Sequence, residues 1–496
     1  MKLCKKLFAA VLAVAMMVVL AIPGFAEENT YSVTINKATG TYKIYQVFAG
    51  DLAKAEDGTK TLSNVTWGSG VNAFTYNGKT TAADIAESLK GADAAATDAF
   101  AATAIANKAT AAAEQTASNG TVTFTGLAAG YYVVENTEVA SDGSYSKYIL
   151  QVVGDVTVDN KADVPTLEKK VKDTNDTTGE TSNWQDSADY DIGDAVPFQL
   201  TGTVASNYAD YQTYYYAFHD KEDTGLTFNK DSVKVSIDGT VVTSGYTVVT
   251  DGLTDGCTFH VVFSDLKSTA AHANSTITVE YTSTLNENAV LGSTGNVNEA
   301  KLQFSNNPND DQGGEKSPTG ETPWDNVIVF TYKVVVNKYA NEVKDGNELT
   351  GAEFTLSKKL SDGTTKDIAV ITSDSGTQFT FKGLDDGDYV LTETKTPAGY
   401  NTINPITFTV TAAHDIEWTT QAQNTVLTNL SGNADNGEIT FTSNLTEGSL
   451  SADVINNSGS VLPSTGGMGT TIFYVVGSVL VVGAGVLLIS KKRMNG

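Results

Sequence analysis

Cysteine is nearly absent: 496 residues contain two, Cys4 and Cys257. Cys4 lies ahead of an apolar run near the start, so a chain that loses this run keeps one thiol and can form no internal disulfide. That excludes the small disulfide-stapled scaffolds. Histidine is also scarce, and His219, His260, His272 and His414 show no metal-ligand spacing. No nucleophile elbow and no phosphate-binding glycine loop is present. Neither a metal nor a cofactor is expected, and the Asp/Asn-rich "NPNDDQGGE" reads as a solvated linker. Basic residues are outnumbered, 32 against 58 acidic. Removing three lysines of residues 1–26, and two lysines and an arginine of residues 466–496, leaves 26 against 58, a net of −32. This acidity argues against nucleic-acid binding and favours solubility.

Long apolar runs occur only at the two ends. Lys2, Lys5 and Lys6, the run Leu7–Ile22 and the small residues of "PGFA" predict an export signal over 1–26, cleaved after Ala26. Thr471–Ser490 is long enough to cross a bilayer, and Lys491, Lys492 and Arg493 would hold the tail (491–496) inside. Directly before the span stands "LPSTG", 462–466.

Between the ends, 439 residues are too many for one core and suggest about three domains. Alternating segments such as "YSVTINKA", "TYKIYQVF", "STITVEYTST", "EFTLSK" and "ITFTV", separated by Gly, Asn and Asp turns, predict short strands. The expected class is mainly β, three tandem immunoglobulin-like sandwiches. An Ala-rich stretch from about Ala82 to Ala117 predicts one or two helices on the first domain. Turn-rich "VDNKADVP" (Val158–Pro165) and "SNNPNDDQGGEKSPTGETPWDN" (Ser305–Asn326) set the boundaries. The domains are then 27–162, 163–325 and 326–460, followed by a sorting region, 461–496.

An export signal, LPSTG, a span and a basic tail, in that order, resemble the substrates of sortases, the transpeptidases of Gram-positive surfaces. The resemblance implies recognition of Leu462, Pro463, Ser464, Thr465 and Gly466. The enzyme's cysteine would attack the Thr465 carbonyl and release everything from Gly466 onward. A second resemblance lies inside the chain. "YVLTETKTPAGY" (Tyr389–Tyr400) is similar to the E-box of Gram-positive shaft pilins, and "LTGAEFTLSK" (Leu349–Lys358) looks like a strand of the collagen-binding-protein (Cna) B-type repeat. "HDKEDTGLTFNKDSVKV" and "GNVNEAKLQFSNNP" look like the middle domain of backbone pilins, and "YKIYQVFAGDL" and "GYYVVENTE" match the first domain more loosely.

That family implies a spontaneous amide between a Lys and an Asn in each such sandwich, promoted by a buried carboxyl. Strand parity decides which side chains can meet inside. Lys169 shares a face with Leu167 and Val171, Asn298 with Ala300, Leu302 and Phe304, and Asp220 with Phe218 and Tyr216. Lys338 lies with Val334 and Val336, Glu393 with Tyr389 and Leu391, and Asn456 with Val454, Ala452 and Leu450. Burial favours a neutral amine and a protonated acid, the forms that let the amine attack the Asn amide. Glu135 and Asn136 sit one residue off the E-box register, so no bond is assigned to the first domain.

The family's polymerising motif runs Trp-x-x-x-Val-x-Val-Tyr-Pro-Lys. Here "VTVDNK" keeps Val156, Val158 and Lys161, while Val152, Asp159 and Asn160 replace the Trp, Tyr and Pro. Lys161 is the expected acceptor for Thr465, with Lys147 and Lys172 as rivals. The resemblance thus implies a shaft subunit of a cell-surface pilus, joined head to tail to copies of itself. Its implied partners are a pilus-specific class C sortase, minor tip and base pilins, and peptidoglycan. No host receptor follows from the sequence. The alternative is a singly wall-anchored adhesin or basal pilin; a wall-anchored hydrolase lacks any residue constellation.

Overall fold

The computed structural model describes residues 30–54, 58–160, 162–309, 318–372, 376–418, 423–435, 437–459 and 480–481. The expected signal, Lys161, the LPSTG motif and the basic tail lie outside these residues, as does the expected span apart from Leu480 and Val481. The architecture is three tandem β-sandwiches.

In the first sandwich the strand Tyr31–Asn36 runs between Thr121–Leu127 and Val156–Asp159, parallel to the latter. Val33 and Ile35 point inward and are fully buried. The facing sheet is built on Thr41–Lys54 and Gly130–Glu138. Its outer side is covered by two helices, Ala82–Ser88 and Ala94–Ala106. Thr81 caps the first, accepting from Asp84 N, and Asp93 caps the second, accepting from Ala96 N. Ile85, Phe100 and Ala104 pack against Tyr45, Phe48 and Val133. The helical region ends earlier than its alanine content predicts. Ala113–Thr116 is instead a strand paired with Thr41–Ile44, because hydrogen bonding to a sheet edge outweighs a propensity worth tenths of a kcal/mol per residue.

The middle sandwich faces a five-stranded sheet, which includes Leu167–Val171, Ala195–Thr203 and Thr276–Leu285, against a seven-stranded one. The latter contains Tyr216–Glu222, Phe259–Phe263, Asn296–Ser305 and Asp325–Phe330. A type I′ turn at Asp238–Gly239, both at positive φ, closes one hairpin. Asp325–Phe330, where the sequence places the start of the third domain, pairs with the middle sheet and serves both cores. Val327 and Val329 enter the middle core, whereas Ile328 and Phe330 enter the next one.

In the third sandwich Tyr332–Ala340 and the last strand, Ser449–Asn456, run parallel side by side. The facing sheet carries Glu353–Lys359 and Gly387–Lys395.

Candidate functional site: two buried lysine clusters

Lys169 is placed on the middle core by its strand's alternation, between half-buried Leu167 and buried Val171. Its side chain is fully buried. Its Nζ donates to Asp220 Oδ2 at 2.5 Å and to the Tyr281 hydroxyl at 2.8 Å. Tyr281 donates to the same Asp220 oxygen at 2.7 Å and accepts from Asn298 Nδ2 at 2.9 Å. Lys169 and Tyr281 come from one sheet, Asp220 and Asn298 from the other, so the cluster bridges the sandwich. Phe198, Phe228 and Phe259 pack around Tyr281 and keep water out. Burial lowers the Lys169 pKa against the pull of Asp220, and raises that of Asp220 against the pull of Lys169. Glu222 stands beside them, pushed up to about 8 by burial and by Asp220.

The second cluster uses different strands. Lys338 and Asn456 come from the parallel neighbours, where Lys338 faces Val454 and Ala340 faces Asn456 in register. Glu393 reaches across from the facing sheet. Asn456 Nδ2 donates to Glu393 Oε2 at 2.9 Å and to the Asn401 carbonyl at 2.7 Å. Lys338 Nζ lies 4.0 Å from Glu393 Oε1 and donates to the Val454 carbonyl at 3.3 Å. Burial pulls Lys338 down to about 8, against the opposing charge of Glu393. Thr396 Oγ1 and Ile403 N also donate to Glu393 Oε2, so the "TKTPAGYNTI" turn orients this carboxyl.

In both clusters the same atoms lack hydrogen-bond partners. They are Asn298 Oδ1 with Asp220 Oδ1, and Asn456 Oδ1 with Glu393 Oε1. A buried acceptor without a donor costs about 1–3 kcal/mol, and a proton on the acid would turn one orphan acceptor of each pair into a donor. Every intramolecular residue anticipated from the sequence is thus gathered into one of two clusters.

Two members of the first cluster, and one buried lysine outside both, were not anticipated. Tyr281 lies at the centre of its strand's apolar face, with Ile277 and Val279. Glu222 shares parity with Asp220, which was the signal available. Lys358, within "LTGAEFTLSK", lies on the face of Phe354 and Leu356 and is fully buried at the junction with the middle domain. It donates to Asp385 and, at 3.2 Å, to Asp191. Burial pulls this ammonium down, but Asp385 and Asp191 override it and hold it above its ordinary value.

In the first domain Glu135 pairs with Lys108 at 2.9 Å. Asn136 is buried, accepting from Ser146 N and Oγ. Among the rival acceptors, Lys172 lies over the Trp184 ring, 4.7 Å from its centroid, and the Lys147 backbone pairs with Glu135. The histidines, which show no ligand spacing in sequence, are not all scattered in space: His219 and His260 are directly opposed on paired strands.

Residues 192–308 match the Gram-positive pilin backbone subunit 2, Cna-B-like domain, and residues 333–425 the SpaA prealbumin-like fold domain. Residues 455–496 match the LPXTG cell wall anchor motif. The trypsin-resistant surface T6 protein of Streptococcus pyogenes serotype M6 is 25% identical over 427 residues, covering 74% of this chain and 75% of that protein. The T6 backbone pilin structure from the same serotype superposes with a TM-score of 0.58 at 18% identity, over 88% of this chain and all of that one. The full-length major pilin SpaD of Corynebacterium diphtheriae gives 0.54 at 20% identity, over 88% of this chain and 99% of that one. With a pilin backbone domain and a prealbumin-like domain in tandem ahead of a wall-anchor motif, the chain is a structural shaft subunit of a wall-attached surface pilus of the Gram-positive kind.

Proposed function

We propose that the subunit is made durable by two internal amides, Lys169–Asn298 and Lys338–Asn456, and is polymerised through a Thr465–Lys161 bond. The observation that carries the first part is the gathering of Lys, Asn and acid into each dry cluster, with matched orphan oxygens on Asn and acid. The neutral amine attacks the Asn Cγ while Asp220 or Glu393 gives its proton to Oδ1. That attack forms the Nζ–Cγ bond; a proton then passes from Nζ to the amide nitrogen, and collapse of the intermediate breaks the Cγ–Nδ2 bond, expels ammonia and returns the Oδ1 proton to the acid. Each domain does this once; it is self-modification, not turnover. Each bond closes a loop of more than a hundred residues, for which loop entropy gives about 4–5 kcal/mol. Reduction cannot break it, so the scarcity of cysteine is no handicap.

For polymerisation, a class C sortase cleaves between Thr465 and Gly466, and Lys161 of the next subunit displaces the enzyme from the Thr465 carbonyl. The reading rests on the wall-anchor match and on the position of Lys161 just past the strand Val156–Asp159 and ahead of the Lys169 strand. One donor end and one acceptor at the first domain boundary make a head-to-tail contact that does not close, hence a filament. Minor pilins and peptidoglycan would cap it by the same chemistry.

Intact-mass measurement of residues 27–465 tests the internal bonds. The expected mass is two ammonia units below the sequence mass, with Asp220→Ala losing one deficit and Glu393→Ala the other. A mass equal to the sequence mass overturns the proposal. Lys161→Ala should abolish the detergent-resistant ladder on a gel and leave monomer. A persisting ladder branched at Lys147 or Lys172 moves the acceptor there.

A further inference from the structure

We propose a transition-metal site, of the kind that takes zinc, on the outer face of the middle domain, formed by His219, Asp255, Cys257 and His260. His219 and His260 sit directly opposite each other on the antiparallel strands Tyr216–Glu222 and Phe259–Phe263. Their ring centroids are 3.7 Å apart. Asp255 Oδ2 lies between them, 2.8 Å from His219 Nδ1 and 2.9 Å from His260 Nε2. One ligand atom from each of the four residues falls within 4.8 Å of all the others.

The loop that brings in Asp255 and Cys257 is fixed rather than draped. Gly256, at φ +80°, turns the chain so that Cys257 N reaches Asp255 Oδ1 at 3.2 Å. Thr258 then ties the loop to the His219 strand twice: its N donates to the Asp220 carbonyl at 2.7 Å, and its Oγ1 accepts from Glu222 N at 2.9 Å.

The donor set favours zinc-like ions over calcium or magnesium, because two imidazoles and a thiol are poor ligands for hard cations. Zinc bonds of about 2.0–2.3 Å place tetrahedral ligands about 3.3–3.8 Å apart. The present separations bracket that range, so small side-chain shifts would admit an ion. A divalent ion with one carboxylate and one thiolate is neutral overall, and binding would release the Cys257 proton to solvent. Lys301, the register neighbour of His219 on its other side, is occupied by Glu321 at 2.7 Å and does not compete. A second observation stands apart from the cluster: His219 is buried, and its Nε2 has no hydrogen-bond partner.

The test uses residues 27–465, stripped with chelator and titrated with Co²⁺. One equivalent should bind, giving the visible bands of tetrahedral cobalt and a thiolate-to-cobalt charge-transfer band. Cys257→Ser should keep the ion and lose the charge-transfer band. His260→Ala, a change at a half-buried position, should lose stoichiometric binding while keeping the two-ammonia mass deficit that reports a folded pilin. Zn²⁺ should also slow alkylation of Cys257, because a metal-bound thiolate is no longer a free nucleophile, and chelator should restore the rate. No bound metal in the wild type, unchanged binding in His260→Ala, or alkylation indifferent to Zn²⁺ would each overturn the assignment.

Discussion

The first and third domains close in the same way and differ in what they bury there. In each, the opening strand runs parallel beside the closing one: Tyr31–Asn36 beside Val156–Asp159, and Tyr332–Ala340 beside Ser449–Asn456. The inward positions of the first are Tyr31, Val33 and Ile35; those of the third include Lys338, with Asn456 closing the other strand. The closing geometry therefore provides the place for a cross-link but does not demand one. What the third domain adds at that place is a fully buried lysine beside an asparagine and an acid, groups that would each be expensive to bury unpaired and that the proposed amide would satisfy. The first domain relies on apolar packing instead, with two helices adding cover.

The largest expected effect comes from making the third domain resemble the first. Lys338→Ala or Asn456→Ala should remove one ammonia deficit and lower that domain's stability by about 4–5 kcal/mol, read by chemical denaturation and by new trypsin cleavage within 332–459. The reverse graft should fail. Ile35→Lys places an amine in the first core without a matching acid, so no new mass deficit is expected. Domain stability should fall by about 3–5 kcal/mol, measured on the same denaturation curve.

A smaller effect separates a free buried amine from an amide. In Asn456→Ala, Lys338 keeps its amine, whose pKa falls to about 8 in the folded state from an ordinary 10.5. The unfolded chain then binds more protons between these values, so stability should rise with pH across that window by about 3 kcal/mol. The wild type, its amine consumed, should lack this increment; identical pH profiles for the two proteins would contradict the bond. The smallest effect lies in the middle domain. Tyr281→Phe removes the hydroxyl that joins Lys169, Asp220 and Asn298, at about 1 kcal/mol. It should slow appearance of the Lys169–Asn298 mass deficit while leaving the third domain's unchanged.

Strand parity makes much of this site legible in the sequence. A period of two assigns Lys169, Asn298, Lys338, Glu393 and Asn456 to apolar faces without reference to partners. Parity could not find Tyr281, because a tyrosine on an apolar face looks like ordinary core. It also missed the reach of Lys358, whose carboxylates Asp191 and Asp385 come from two domains. The metal cluster was hidden for the same reason. Asp255, Cys257 and His260 lie within six residues, but His219 joins them only through the pairing of two strands.

The sequence by itself determined the β class, the inward-facing lysines and asparagines, and the anchor motif, because these depend on local period and on a short contiguous string. Only the fold brings Tyr281 between Lys169 and Asn298, makes Asp325–Phe330 a strand shared by two cores and turns Ala113–Thr116 into a strand. Each of these follows from hydrogen bonds and burial between segments far apart in the chain, where pairing energy exceeds local propensity.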